Sequence, residues 1–194
     1  HLSIRRQRQM CIRDSLVVGA GPVGLVATAS LISEGIPVKL IETTADLAQD
    51  LRASTFHPPT LDFLDKLGIA DQLVEQGLIC KNWQFRDRNS GVVASFDLSL
   101  LTGETKFPFR LQCEQWKLTK ALRTYIEDHP DGELITRTSA EEVGQNDDGV
   151  WVKTIDSDGY QNRYEGRFLI GSDGARSIVC LLYTSPSPRD VEES

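Results

Sequence analysis

The feature that most constrains this chain is the stretch LVVGAGPVGL at residues 16–25, where a short apolar run leads into three glycines spaced G-x-G-x-x-G. The first glycine of such a pattern permits a tight turn, the second leaves bare backbone beside a ligand, and the third lets the next helix pack closely on the strand. The pattern therefore predicts a strand-turn-helix unit that binds the pyrophosphate of a dinucleotide at the helix N-terminus. We assign the whole turn to this site: Gly19, Ala20, Gly21, Pro22, Val23 and Gly24.

The residues around the glycines extend the pattern to a βαβ unit. Pro22 to Glu34 predicts a helix that Gly35 ends, with an apolar face of Val23, Ala27, Ser30 and Leu31. Ile36 to Ile41 predicts a second strand, and Glu42 follows it about 20 residues beyond the glycines, where a carboxylate can accept both hydroxyls of an adenosine ribose. The alternative is that Glu42 is a solvated charge at the end of a strand.

The remainder of the chain does not continue as alternating strands and helices. Helical patterns cover 58–67, 69–76 and 114–128, while residues 78–111 alternate aromatic and polar side chains as in strands covered on one side. Three further β-type runs lie near 139–145, 150–156 and 162–169, separated by NDDG and DSDG turns that suit hairpins. We expect a parallel sheet of 16–20, 38–42 and 168–171, one face of which the antiparallel meander covers.

Composition limits the classes of partner. The net charge is −7 and there is no run of lysines or arginines, which disfavours nucleic acid. No apolar run approaches the roughly 20 residues of a membrane span, and no signal peptide is visible, so we expect a cytoplasmic protein. The four cysteines form no C-x-x-C pair and are predicted to be separate reduced thiols rather than a metal site or disulfide framework: Cys11, Cys80, Cys113 and Cys180.

The two ends of the sequence differ from the middle. Residues 1–15 are rich in arginine without apolar periodicity, and residues 180–194 are rich in serine and proline. Both resemble translated adapter or cloning sequence, so we expect native information at 16–179. The alternative is a basic arm and a disordered tail.

Three motifs, in this order, resemble those of one family: GAGPVG at 19–24, Arg52 with Ala53, and GSDGARS at 171–177, with Gln112 between the last two. They are similar to the FAD-dependent aromatic-ring monooxygenases, the flavoprotein hydroxylases related to p-hydroxybenzoate hydroxylase. The stretch RASTFHPPTLDFLDKLGI looks closest to the branch of phenol and 3-(3-hydroxyphenyl)propionate hydroxylases. The resemblance implies an α/β fold: a Rossmann-like FAD/NAD(P)-binding domain with a parallel sheet, a β-meander crossover and the start of a β-rich substrate lobe.

The same resemblance implies roles for individual residues. The glycines would hold the FAD pyrophosphate and Glu42 the adenosine ribose, while Arg52 would reach the flavin side of the cofactor. Gln112, at the start of a long helix, would touch the ribityl chain, and Asp173 would accept a ribityl hydroxyl, with Gly174 allowing close approach. The residues alone leave open that Arg52 pairs with Asp50, that Gln112 caps the helix and that Asp173 only forms a turn.

The implied activity is hydroxylation of a small phenol-type substrate by FAD, NAD(P)H and O2, with no metal. Alternatives are an FAD-binding fragment without turnover and a related flavin-dependent reductase or halogenase. No catalytic residue is assigned, because the flavin carries the chemistry; His57 is either a base for phenol deprotonation or part of a helix-initiating turn. The expected organisation is a leader at 1–15, FAD-binding segments at 16–77 and 112–179, the start of a substrate lobe at 78–111 and a tail at 180–194.

Overall fold

The computed structural model describes residues 13–46, 53–174 and 177–179. Its helices are α1 (Pro22–Ser33), α2 (Pro58–Lys66), α3 (Ala70–Gln76) and α4 (Gln115–Asp128). Its strands are β1 (Arg13–Val18), β2 (Val38–Ile41), β3 (Thr55–Phe56), β4 (Leu78–Cys80), β5 (Asn82–Asp87), β6 (Gly91–Asp97), β7 (Arg110–Gln112), β8 (Gly132–Ile135), β9 (Thr138–Asn146), β10 (Gly149–Asp156) and β11 (Gln161–Gly171). The described residues form two compact units: 13–46, 125–174 and 177–179 belong to the first, and 53–124 to the second.

The first unit is built on a six-stranded sheet in the order β8-β2-β1-β11-β10-β9. The pairs β8 with β2, β2 with β1 and β1 with β11 are parallel, and β10 pairs antiparallel with both of its neighbours. The predicted parallel arrangement of the three segments that carry the motifs is therefore confirmed. At the carboxyl edge Val18 pairs with Ile41 on one side and Gly171 on the other, which brings the loops after these three strands together.

The meander is continuous with the parallel sheet through β11. The second half of β11 pairs with β1, from Gly166 to Gly171, whereas its first half pairs with β10. The meander thus extends the hydrogen-bonded sheet as well as packing against it, since Val143 and Val152 belong to the same buried cluster as Leu16 and Val18. The expectation that the meander covers one face missed this continuity, because 162–169 and 168–171 were treated as separate strands, whereas they form one strand, β11.

The buried face of α1 differs from the predicted one. Leu25, Thr28, Ala29 and Ile32 are buried, whereas Val23 is 70% exposed. The helix is apolar on most of its circumference, so periodicity alone could not identify the side that packs on the sheet.

Two segments at the sheet were predicted wrongly. Residues 13–15 were assigned to a leader but belong to β1, where Arg13 pairs with Gly166 and Ser15 with Phe168. Backbone pairing does not require apolar side chains, which explains the omission. Strand β8 was not predicted, because GELI has only two apolar residues; it extends the sheet beyond β2. The rest of the predicted leader, residues 1–12, and the tail at 180–194 lie outside the described residues.

The second unit contains a three-stranded sheet, β3-β7-β4, and a two-stranded ribbon of β5 and β6. The described strands between residues 78 and 112 all lie outside the six-stranded sheet, as expected. Lys106 lies between Asp65 and Asp71 at 2.8 and 3.2 Å, and Thr105 donates to Asp62 at 2.7 Å, so the loop before β7 is held to α2 and the start of α3. The residue limits of the predicted domains stay a prediction.

Among the described residues, Cys80 and Cys113 are free thiols, and burial raises the pKa of the Cys113 thiol. The described part of the chain contains no group of three His, Cys, Asp or Glu residues suited to a metal ion. No helix within the described ranges is long and apolar enough to cross a membrane.

Leu16 is fully buried in the cluster between β1 and the meander, so its substitution should strongly lower the free energy of unfolding. We expect Leu16→Ala to lower the free energy of unfolding by about 2–5 kcal/mol, because the cavity removes contacts on both sides. Tyr160→Ala, at a side chain 70% exposed in a turn of the same unit, should change it by less than about 0.5 kcal/mol. Urea denaturation followed by circular dichroism measures both, and equal effects would contradict the assigned core.

Candidate functional site

The turn after β1 is held from both neighbouring strands. The Gly19 N–H donates to the Ile41 carbonyl at 2.8 Å, and the Ser172 N–H donates to the Val18 carbonyl at 2.8 Å. Gly19 has φ +98°, and a Cβ on it would lie 2.5 Å from the Ser172 carbonyl group. Glycine is therefore required here both by backbone conformation and by the close approach of the loop after β11.

Gly24 is required by packing alone. A Cβ on it would overlap the Gly19 carbonyl oxygen and would lie 2.5 Å from the Ser172 hydroxyl. The first turn of α1 consequently rests directly on the backbone of the preceding turn, which is the role expected of the third glycine in the pattern.

Gly21 differs from the other two glycines. Its backbone is extended, with φ −66° and ψ 176°, a conformation that any residue adopts, and a Cβ on it would meet no atom within 4 Å. Neither backbone strain nor packing among the described residues explains a glycine at this position. Bare backbone that faces open space fits a ligand that approaches the main chain closely.

The N-terminus of α1 adjoins that open position. Gly21 makes no side-chain capping hydrogen bond, the first turn has no acidic residue, and proline occupies the first helical position. The N–H groups of Val23 and Gly24 have no acceptor within the helix, because the first turn has no preceding carbonyls. Donors without an acceptor within the helix and the positive end of the helix dipole together suit a phosphate.

Glu42 is anchored at the same edge of the sheet. Its Oε2 accepts the Ala20 N–H at 2.7 Å, and its Oε1 accepts the Thr44 N–H and hydroxyl at 2.9 and 2.8 Å. The carboxylate is thus fixed beside the glycine turn rather than freely solvated at the strand end. A carboxylate offers about four acceptor positions, so capacity remains for a ribose hydroxyl.

Ser172 is the residue that sequence reasoning missed. Its hydroxyl lies 2.8 Å from both the Val18 and Gly19 carbonyl oxygens and donates to them, so it joins the loop after β11 to the glycine turn. The signal was present, since GSDG places a hydroxyl beside a parallel strand end, but a serine between glycine and aspartate has no distinctive spacing.

Asp173 and Gly174 follow at the same edge. The Asp173 carboxylate accepts the Ser177 hydroxyl on one oxygen and the Ile178 N–H at 2.9 Å on the other, and Gly174 has φ +84°. Asp173 therefore organises the residues after it, as a turn-forming aspartate does, and its contact with a ribityl hydroxyl stays a prediction.

The remaining predicted residues belong to the second unit or lie outside the described residues. Gln112 ends β7 and donates from its amide to the Ser54 hydroxyl at 2.7 Å; α4 begins three residues later, so Gln112 is not the first residue of that helix. Gln112 belongs to the second unit, whereas the glycine turn belongs to the first. His57 is the exposed N-cap residue of α2, and Arg52 lies outside the described residues.

The comparisons with known proteins agree on one family. A family model described as FAD binding domain matches residues 13–183. Para-nitrophenol 4-monooxygenase from Pseudomonas sp. (strain WBC-3) is 32% identical over 164 residues, which cover 84% of this chain and 40% of that protein. Pentachlorophenol 4-monooxygenase from Sphingobium chlorophenolicum is 28% identical over 86% of this chain and 31% of its own length.

Solved structures show the same relationship. The p-nitrophenol 4-monooxygenase PnpA from Pseudomonas putida DLL-E4 matches with a TM-score of 0.80 and 28% identity, over 87% of this chain and 42% of that structure. Aklavinone-11 hydroxylase, solved with FAD and aklavinone, matches with a TM-score of 0.75 and 27% identity. The match covers 88% of this chain and 34% of that structure. These likenesses confirm the predicted Rossmann-like α/β fold. The chain spans about 40% of the length of the para-nitrophenol relative.

The geometry of the turn predicts opposite outcomes for two glycines. Gly24→Ala should lower the free energy of unfolding by about 1–3 kcal/mol, because the methyl group overlaps the Gly19 carbonyl. Gly21→Ala has open space and should change it by less than about 0.5 kcal/mol. Thermal denaturation without added cofactor measures both, and equal stability of the two variants would refute the packing described for Gly24.

Proposed function

Since this chain belongs to the FAD-binding domain family, we propose that it is the FAD-binding part of a flavoprotein monooxygenase that hydroxylates a phenol-type ring with NAD(P)H and O2. The main observation that supports this proposal is the bare backbone of Gly21, which faces open space at the N-terminus of α1. The activity named for the para-nitrophenol and pentachlorophenol relatives supports the choice of reaction and substrate class. A cytoplasmic location belongs to the same proposal.

The donor groups at the sheet edge fit FAD, and we assign each of them a part of the cofactor. The backbone from Gly19 to Gly24 binds the pyrophosphate, and Glu42 binds the adenosine ribose in the orientation set by Ala20 and Thr44. Asp173 and Gly174 approach the ribityl chain, which Gln112 also contacts, and Arg52 reaches the flavin side of the cofactor. These roles rest on the family resemblance and, for Glu42, Asp173 and Gln112, also on the contacts described above.

FAD, when bound, supplies the redox chemistry, taking electrons from the nicotinamide and reacting with O2. The described residues hold and orient the cofactor, and no proton transfer is assigned to them. An FAD-binding fragment without turnover, and a related reductase or halogenase, share the same binding residues and differ only in the steps after flavin reduction. Product analysis with a phenol, NADH or NADPH and O2 separates these alternatives.

The proposed role of Gly21 predicts loss of cofactor without loss of fold. Gly21→Ala should weaken FAD binding about tenfold or more, because the methyl group occupies space needed by the pyrophosphate. Gly103→Ala is the matched control, since its Cβ also meets nothing within 4 Å but it lies in the second unit. Flavin absorbance after reconstitution and gel filtration measures binding. If the parent chain takes up no flavin, the proposed function is wrong.

Glu42 is predicted to contribute through the adenosine half of FAD. Glu42→Ala should weaken FAD binding by about 1–3 kcal/mol, because charge-assisted hydrogen bonds to the ribose are lost. Glu34→Ala, which removes an exposed carboxylate at the end of α1, is the control and should bind FAD normally. Fluorescence titration gives both dissociation constants. Unchanged affinity in Glu42→Ala would remove Glu42 from the site.

A further inference from the structure

The peptide group between Gly19 and Ala20 is held at both of its ends. Its carbonyl oxygen accepts the Ser172 hydroxyl at 2.8 Å, and its N–H donates to Oε2 of Glu42 at 2.7 Å. A peptide group is planar and rigid, so its carbonyl and its N–H cannot turn independently of each other. Ser172, which follows β11, and Glu42, which follows β2, therefore fix the orientation of one peptide plane between them.

Ser172 supplies a hydrogen bond that no other described residue provides. Among the described residues, its hydroxyl is the one donor to the Gly19 carbonyl. The Val18 carbonyl, which also accepts this hydroxyl, receives in addition the Ser172 N–H at 2.8 Å. Gly19 is buried, so removal of the hydroxyl would leave a buried carbonyl without a donor, whereas Val18 would keep one.

Gly19 makes this peptide group easier to rotate than most. Its φ of +98° lies in a region that L side chains rarely adopt, and glycine reaches the neighbouring conformations at little steric cost. Rotation of the peptide plane would turn the Ala20 N–H away from Glu42 and bring the Gly19 carbonyl oxygen toward the carboxylate, where the two negative charges repel. The bond from the Ser172 hydroxyl therefore favours the orientation in which Glu42 has its donor.

These hydrogen bonds form a chain across the ends of three adjacent strands. Ser172 follows β11, the Gly19–Ala20 peptide follows β1 and Glu42 follows β2, and the strands are neighbours in the order β2-β1-β11. A peptide group that accepts a hydrogen bond at its oxygen is polarised and donates more strongly from its N–H. Thr44 already holds Oε1 of Glu42, so the Ala20 N–H fixes the position of Oε2.

We propose that Ser172 is a positioning residue for Glu42: through the Gly19–Ala20 peptide, its hydroxyl holds the carboxylate in the orientation that accepts the ribose hydroxyls of FAD. The inference rests on the proposed function, because it takes the adenosine ribose as the ligand of Glu42. Ser172 acts through its neighbours in this role and needs no contact with the cofactor. The carboxylate is ordered before the cofactor arrives, which lowers the entropic cost of binding.

Hydrogen exchange of the Ala20 amide tests the first link without any cofactor. NMR gives the exchange rate in the parent chain, in Ser172→Ala and in a control, Ser30→Ala, which removes a hydroxyl bonded at 2.7 Å to a carbonyl one turn earlier in α1. The Val17 amide of β1 is the internal reference, because global unfolding would speed both amides equally. We expect Ser172→Ala to raise the Ala20 rate relative to Val17 about three- to tenfold, because the bond to Glu42 weakens, and Ser30→Ala to leave it unchanged.

A double-mutant cycle on FAD affinity tests the second link. Fluorescence titration, well below the melting temperature of every variant, gives the dissociation constants of the parent chain, Ser172→Ala, Glu42→Ala and the double variant. We expect Ser172→Ala to weaken FAD binding about three- to tenfold in the parent background and by less than about twofold in the Glu42→Ala background, because Ser172 acts through that carboxylate. Ser30→Ala should bind FAD as the parent chain does.

The two measurements separate this inference from the proposed function. A parent chain that takes up no FAD overturns the proposed function and, with it, the ligand assigned to Glu42. A parent chain that binds FAD, but whose Ser172→Ala variant binds it equally well or loses the same factor in both Glu42 backgrounds, overturns the role of Ser172 alone. A purely structural serine would lower the melting temperature of Ser172→Ala while the relative exchange rate of Ala20 and the FAD affinity stay unchanged, and that result also overturns the inference.

Discussion

The contact between the first turn of α1 and the loops beside it is the constraint on which the first unit depends. Gly24 rests on the Gly19 carbonyl, and Ser172 bonds to that same carbonyl from the end of β11. The glycine turn, the start of α1 and the loop after β11 therefore meet closely, joined by the small Ser172 side chain. This close approach fixes the direction in which α1 leaves the sheet and so aims its unpaired N–H groups. Glu42 then fixes the remaining side of the turn through Ala20.

The features of this fold that could be predicted are those set by local backbone requirements. The glycine spacing predicted the strand-turn-helix unit, and the NDDG and DSDG turns predicted the hairpins, because each depends on a few consecutive residues. The buried face of α1 and the strand β8 could not be predicted in this way. In both, the decisive contacts come from strands far away in the sequence, and the local pattern is either too uniformly apolar or too short.

The candidate site also contains residues that the sequence identified and one residue that only the structure identified. The glycines and Glu42 were identifiable from their spacing in the sequence, whereas Ser172 acquires significance only through its neighbours in space. Ser172 matters because it reaches the carbonyls of β1 and the glycine turn. Gln112 was expected to begin the long helix but ends β7, and its hydrogen bond to Ser54 is a contact that no sequence pattern indicates.

The length of β11 has a consequence for how the chain acquires its fold. One strand pairs with β1 at its far end and with β10 at its near end, and the Ser172 hydroxyl meets the Val18 carbonyl across 154 residues. Contacts of such long sequence separation form slowly, because loop closure must precede them. During synthesis, β1 and the glycine turn leave the ribosome long before their partner strand exists. The glycine turn is therefore made well before β11, on which its completion depends.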